Sequence, residues 1–297
     1  MDKFIKSLEN LFNKDRDNIN IIPCKNGDVN SSYIASCDDK KYFIKIQDKE
    51  QLPSLYENQI EREVIGISLC ASHGIPCPMI LDYNLSEKYI ITEYIDYELL
   101  GSLWNQLDSA KQNHIKRQAL CILEKMNNIQ SDYFGGIYRG GKLERFSKWT
   151  DTYKNIVEVA INDCLRYGSL TEDECKVIAE RVDENCKRLD EEKQPKAVFS
   201  HLDLHWNNIF IDKDTYQIKG VIDFGSALYT PDYMGYFRLN GGFLYGTNSF
   251  YNQDTICPIE LNEHEYECAN ILNTLDYFTF LSYKGMNYKM EKQILLR

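Results

Sequence analysis

Apolar and polar residues alternate most clearly between Ile21 and Gln47, where SSYIAS and KKYFIKIQ form two β-forming runs separated by Cys37, Asp38 and Asp39. Period-two spacing around a short acidic break predicts a hairpin with Asp38 and Asp39 at its turn. Just upstream, Lys25-Asn26-Gly27-Asp28-Val29-Asn30 reads as a glycine-containing turn between strands. In the second run Tyr42, Ile44 and Ile46 share one face and Phe43 and Lys45 the other. A lysine in such a run is either a solvated edge residue or a buried charge with a partner. The period becomes helical at Ile60, Val64, Ile67 and Ala71; this helix carries Glu57, Glu61 and Glu63 and stops at His73-Gly74 before Pro76 and Pro78. KYIITEYI is again a strand, ending near Asp96. Ile115, Ala119, Ile122, Met126 and Ile129 then predict one helix, and Cys175, Ile178, Val182 and Leu189 another. The opening MDKFIKSLENLFNKDRDN reads as an amphipathic, polar helix. Strands dominate the first hundred residues and helices the rest. The pattern predicts an α+β fold, with a small strand-rich N-terminal lobe over residues 1–95 and a larger, mainly helical lobe over residues 96–297, linked near Glu93 to Asp96.

With 43% hydrophobic and 27% charged residues, the 297-residue chain has enough apolar material for a core and too little bias for disorder. Asp and Glu outnumber Lys and Arg 45 to 34, for a net charge of −11. That balance argues against nucleic acid as a partner and suits a cationic ligand better. No 18 apolar residues run together, so no membrane partner is expected, and the chain reads as soluble, cytoplasmic and not secreted. The 10 cysteines contain no C-x-x-C pair and are expected to be buried free thiols.

The segment FSHLDLHWNNIFIDKDTYQIKGVIDFGSA, residues 199–227, concentrates the chemistry. Ile209 to Ile211 and Ile218 to Ile222 flank Asp212-Lys213-Asp214, and a hairpin there would bring His201-Leu202-Asp203, Asn207 and Asn208 close to Asp223-Phe224-Gly225. Phosphoryl transfer from a nucleotide needs a carboxylate to take the proton of the attacking hydroxyl, oxygen ligands for Mg²⁺, and a cation on the non-transferred phosphates. Asp203, Asn208 with Asp223, and Lys45 match those needs. His201 reads as a support of the loop, His205 and Trp206 as structural, and Asn207 as a turn residue.

The pattern H-x-D-x-x-x-x-N followed by I-D-F-G, with 20 residues from Asp203 to Asp223, resembles protein-kinase-like enzymes. Within them it is similar to the aminoglycoside phosphotransferase and choline kinase family. FIKI around Lys45, REVIGISLCASHGIPCP around Glu63, IITEYI and the stretch from FGG to Trp149 extend the likeness over most of residues 20–235. The resemblance implies a two-lobed protein-kinase-like fold using ATP, with GTP as an alternative, and Mg²⁺. It implies Asp203 as the catalytic carboxylate, Asn208 and Asp223 on the metal, and Lys45, steadied by Glu63, on the phosphates. Adenine is expected against a hinge near Thr92 to Ile95, with Glu93 and Ile95 as contacts. The chain departs from the pattern in having Leu202 where the family commonly has glycine, no A-P-E element, and a single glycine, Gly27, in the nucleotide-covering turn. Asn30 and Ser31 are candidate phosphate contacts there, and Asp232 aligns only loosely with a second carboxylate of relatives.

The expected activity is transfer of the γ-phosphate to a hydroxyl of a small molecule, an aminoglycoside antibiotic in the first instance. Alternatives are choline or another small metabolite alcohol as acceptor, or nucleotide binding without catalysis. The resemblance places the acceptor on the helical lobe and C-terminal region, where Asp254, Glu260, Glu263, Glu265, Glu267 and Asp276 stand among Tyr251, Tyr266, Tyr277 and Phe278. Carboxylates and aromatic faces suit a cationic or polyhydroxylated acceptor. Asp276, inside the apolar run Leu272 to Leu281, is the one expected to face inward.

Overall fold

The alternating runs of the N-terminal part close into one antiparallel sheet in a computed structural model, which describes residues 4–24, 29–49, 51–138, 140–239 and 260–297. Its strands are β1 (Asn20–Pro23), β2 (Ser31–Cys37), β3 (Lys40–Ile46), β4 (Ile80–Asn84) and β5 (Tyr89–Glu93), in the order β1-β2-β3-β5-β4. Cys37 pairs with Lys40, leaving Asp38 and Asp39 as the hairpin turn, and Asp38 takes the left-handed backbone (φ 51°) that a short polar side chain tolerates. Helix α1 (Ile5–Phe12) covers one face of this sheet: Phe4, Leu8 and Phe12, one turn apart, are buried against Ala35, Ile44, Ile46 and Ile91. The N-terminal segment is therefore a lid on a small apolar core of its own.

Helix α2 (Gln59–Ser72) has an inner face made of Gln59, Ile60, Arg62, Glu63, Gly66, Ile67 and Cys70, whereas Val64 is half-buried and Ala71 exposed. The stripe is offset from the apolar one expected because Arg62 and Glu63 find polar partners inside. Gly66 lies against Phe224. A Cβ at Gly66 would sit 2.6 Å from the Phe224 Cβ, so Gly66→Ala must displace either the helix or the Phe224 turn. Overpacking of this kind costs about 1–3 kcal/mol, and thermal unfolding of the variant should show a lower Tm together with reduced activity. An unchanged Tm would mean that the contact is loose.

The rest of the chain is mainly helical. After β6 (Glu98–Leu99) and the short α3 (Leu100–Leu103), α4 (Ser109–Asn127) buries Ile115, Ala119, Ile122 and Met126 as the spacing predicts, with Asp108 capping its N-terminus. Strands β7 (Gln130–Ser131), β8 (Phe134–Gly136) and β9 (Arg145–Phe146) precede α5 (Trp149–Arg166) and α6 (Glu172–Asp190). Then come β10 (Ala197–Ser200), β11 (Ile209–Ile211), β12 (Ile218–Val221), β13 (Leu228–Thr230), α7 (Asp232–Leu239), α8 (Glu263–Lys284) and α9 (Lys289–Leu295). Two small sheets, β7-β10-β13-β8-β9 and β12-β11-β6, frame the loops that carry His201, Asp203, Asn208 and Asp223. Helices α5, α6 and α8 pack on one another around Trp149, Tyr153, Ile178, Val182 and Leu275. Strand β12 ends at Val221, one residue short of the sequence reading, and the Ile222 N–H instead donates to the Asn208 carbonyl (3.0 Å), drawing the hairpin's entrance and exit together.

All cysteines among the described residues are free, and all but Cys121 are at least half-buried; Cys257 lies outside the described residues. No described helix is long and apolar enough to cross a membrane.

Candidate active site

Lys45 sits on the face of β3 opposite Ile44 and Ile46 and is only 8% exposed. Of the two alternatives for this residue, the partnered buried charge is the one found. Its Nζ donates to Glu63 Oε2 (3.2 Å) and to Asp223 Oδ1 (2.7 Å), while Glu63 Oε1 accepts the Asp223 backbone N–H at 3.2 Å. Burial would pull the Lys45 pKa down, but Asp223 and Glu63 outweigh it and raise the pKa, so the ammonium is retained. Burial raises Glu63, and Lys45 holds Asp223 below its usual range despite burial. One cation here joins strand β3, helix α2 and the segment after β12.

The loop between β10 and β11 is fixed at both ends. His201 Nε2 lies 3.0 Å from the Ile222 carbonyl, and His201 Nδ1 accepts the Asp203 N–H at 3.2 Å, which assigns the proton to Nε2. Burial lowers the His201 pKa, consistent with a neutral ring that donates once and accepts once. Asn208 Nδ2 donates to the Asp203 carbonyl (2.8 Å) and to Asp203 Oδ2 (2.9 Å), which leaves Oδ1 as the acceptor end of that amide. Leu202 adopts φ 58° and Asp223 φ 66°, both in the left-handed region. Leu202, where the resemblance leads to an expectation of glycine, thus has the backbone that favours glycine. A β-carbon there costs about 1–2 kcal/mol, and burial of the Leu202 side chain opposes that strain.

His205 contacts several residues of the same loop. Its Nδ1 accepts the Asn207 N–H (3.2 Å), and its Nε2 lies 3.6 Å from Asp203 Oδ1 and 3.3 Å from Asn208 Nδ2. Burial lowers its pKa, but the Asp203 carboxylate more than reverses this. Trp206 packs on Trp104 with ring centroids 5.5 Å apart, as a core residue, and Asn207 is exposed.

Lys45, Glu63 and Asp223 form one contact group and Asp203 and Asn208 a second, and Ile222 joins them through its N–H on Asn208 and its carbonyl at His201; Glu93 and Ile95 are in neither group. They lie at the end of β5 and in the segment that follows, where the Glu93 side chain accepts the Met79 N–H (2.9 Å) and Ile95 packs over Gly220. The Glu93 backbone N–H is engaged as well, donating to the Met79 carbonyl at 3.0 Å. Gly27 lies outside the described residues. The Asn30 amide nitrogen donates to Gln59 Oε1 and Ser31 pairs with Ile46, so Asn30 ties the residues just before β2 to α2. Asp232 begins α7.

The C-terminal acids have other partners. Glu267 pairs with Arg181 (2.9 Å) and Glu265 accepts the Asn262 N–H in a capping box at the start of α8; Glu260 and Glu263 are exposed. Tyr266 is exposed, Tyr277 packs against Phe280 and Phe278 is fully buried. Asp254 and Tyr251 lie outside the described residues. Asp276 does face inward, yet Arg238 Nη2 meets its Oδ2 at 2.6 Å and the Tyr56 hydroxyl donates to its Oδ1 at 3.2 Å. Sequence reasoning missed Tyr56, Arg62 and Arg238. Arg62 stands beside Glu63 in the R-E pattern and was open to notice, whereas nothing local marks the other two.

Residues 21–232 match the phosphotransferase enzyme family known as APH. No curated protein matches the chain by sequence. Among solved structures, a thermostable mutant of aminoglycoside phosphotransferase APH(4)-Ia superposes with a TM-score of 0.69 at 13% identity, covering 98% of this chain and 96% of that one. A putative fructosamine-3-kinase from Haemophilus somnus gives 0.69 at 15% identity over 98% and 95%. The streptomycin-ATP complex of APH(2")-IIa gives 0.64 at 13% identity over 99% and 95%. At such identities these likenesses establish the protein-kinase-like fold. With the family match spanning most of the chain, the protein belongs to the phosphotransferase enzyme family.

Proposed function

We propose that the protein transfers the γ-phosphate of ATP to a hydroxyl of a small molecule, with Asp203 as the catalytic carboxylate. The observation that carries this reading is that four separate segments supply two joined groups, Lys45 with Glu63 and Asp223, and Asp203 with Asn208, tied together through Ile222 and His201. Three of their members are carboxylates and one is an ammonium, an excess of negative charge that a hard divalent cation would balance. The Asp223 carboxylate and the Asn208 amide oxygen fit Mg²⁺ by donor type, because both are oxygens and the amide nitrogen is already committed to Asp203. When bound, Mg²⁺ would supply charge neutralisation at the phosphate oxygens.

The chain's own residues then have separable tasks. Lys45, held by Glu63, binds the non-transferred phosphates, and the segment Thr92 to Ile95 meets the base through its backbone. Asp203 orients the acceptor hydroxyl and takes its proton as the new O–P bond forms and the bond from the γ-phosphorus to the bridging oxygen breaks, releasing ADP. His201 and Asn208 keep Asp203 in place. ATP use is supported by the ADP and hygromycin B complex of APH(4)-Ia.

The test is ATP consumption with a panel of small alcohols, sugars and amino sugars against a generic protein substrate, with and without a metal chelator. Consumption should depend on Mg²⁺ and on a small hydroxylated molecule, and mass spectrometry should find the phosphorylated acceptor. Phosphorylation of the protein substrate in preference to every small molecule would refute the reading.

A further inference from the structure

A cavity of about 50 Å³ lies beneath the loop that carries Asp203: Leu202, which precedes that residue, and Ser226, which follows Gly225, are both in its wall. Among the described residues its charged lining groups are Arg62, Arg238 and Asp276. Arg238 and Asp276 pair at 2.6 Å and cancel, which leaves Arg62.

Arg62 is 1% exposed. Its two terminal nitrogens donate to the Gly225 carbonyl (3.1 Å) and the Tyr138 hydroxyl (3.2 Å), and its guanidinium lies over the Tyr138 ring at 4.8 Å. The third nitrogen, Nε, is buried with no hydrogen-bond partner among the described residues. Those residues contain no carboxylate within ion-pair distance of the guanidinium either. Buried guanidinium groups are normally paired, because a charge removed from water without compensation is strongly unfavourable. Bracing Gly225 accounts for one donor and leaves the charge uncompensated.

We propose that this cavity receives the carboxylate of a hydroxylated acceptor, so that the molecule phosphorylated is a hydroxy acid; the inference rests on the phosphotransfer reading above. A volume of about 50 Å³ is enough to admit a carboxylate. The surplus positive charge of its lining repels an ammonium and attracts a carboxylate, whose two oxygens suit a guanidinium donor. Of the acids that could have received a cationic acceptor, Glu267, Glu265 and Asp276 are engaged by Arg181, Asn262 and Arg238. The Leu202 wall puts the bound carboxylate one residue from Asp203, within reach for a hydroxyl a few bonds away.

Two measurements on the full chain decide the matter. Calorimetric titration with sodium acetate, using sodium chloride as the ionic control, should show saturable acetate binding that weakens about tenfold or more in Arg62→Met, the scale of losing a charged hydrogen-bond donor. If Arg62→Met fails to fold by circular dichroism, Arg62→Lys decides instead, since it keeps the charge and loses the fork and should weaken acetate binding measurably. Absence of saturable acetate binding, or equal affinity in the variants, overturns the proposal. In the second measurement ATP consumption is compared across glycerate, glycerol and aminopropanediol, and across gluconate, glucose and glucosamine. The carboxylate member of a series should have the highest kcat/KM and the amine the lowest. Equal or inverted order overturns the proposal even if acetate binds. Acetate binding through Arg62 without ATP consumption in either series counts against the phosphotransfer reading and leaves the anion cavity standing.

Discussion

Asp203→Asn is expected to lower kcat by about 10² or more while leaving nucleotide affinity nearly unchanged, the usual scale for removal of a positioned base. The substitution is conservative in shape. An Asn side-chain oxygen can still accept the hydrogen bond now made by Asn208 Nδ2 at 2.9 Å, and the His201 contact to the residue 203 backbone N–H is untouched. What is lost is the capacity to take a proton from the acceptor hydroxyl, together with the charge that attracts His205. Steady-state kinetics at saturating ATP, paired with calorimetric ATP binding, separates the two quantities. Near-normal turnover would remove Asp203 from the chemistry.

A second large effect is expected for Asp223→Asn, with kcat/KM for ATP falling by about 10³, since the site loses a metal ligand and preorganised charge together. Asp223 is also the nearer of the two carboxylates on Lys45, at 2.7 Å against 3.2 Å for Glu63. Without it, the buried ammonium keeps only Glu63, so the variant should also unfold at lower temperature. Titration of activity with Mg²⁺ should require markedly higher metal concentration than the wild type. An unchanged Mg²⁺ requirement would exclude Asp223 as a ligand.

Much of the site was legible in the sequence because its signals are local. The β2–β3 hairpin follows from alternation over a few residues and an acidic turn, and the His201-to-Asn208 loop from residue types at fixed spacing. Other features depend on partners remote in the chain. Arg62 and Glu63 face inward on α2 because they meet Gly225, Lys45 and Asp223, the last separated from Lys45 by 178 residues. The inner face of α5 escaped a periodicity reading because Thr150, Thr152 and Asp163 are buried in it. Asp163 is held there by the Ser54 hydroxyl, 109 residues away. Among the C-terminal acids, Glu267, Glu265 and Asp276 have Arg181, Asn262 and Arg238 beside them, and for Arg181 and Arg238 no local signal announces the partner. Leu202 is the opposite case: a departure from the family's glycine that nevertheless keeps the glycine-like backbone.

Transfer of labelled phosphate tests the central claim most directly and needs no knowledge of the acceptor. Purified protein is incubated with γ-labelled ATP, Mg²⁺ and the low-molecular-weight fraction of a cell extract, in parallel with Asp203→Asn. The account predicts label in a small phosphomonoester formed by the wild type and nearly absent with the variant. Label that stays on ATP and inorganic phosphate, or that enters small molecules equally with both proteins, would contradict it.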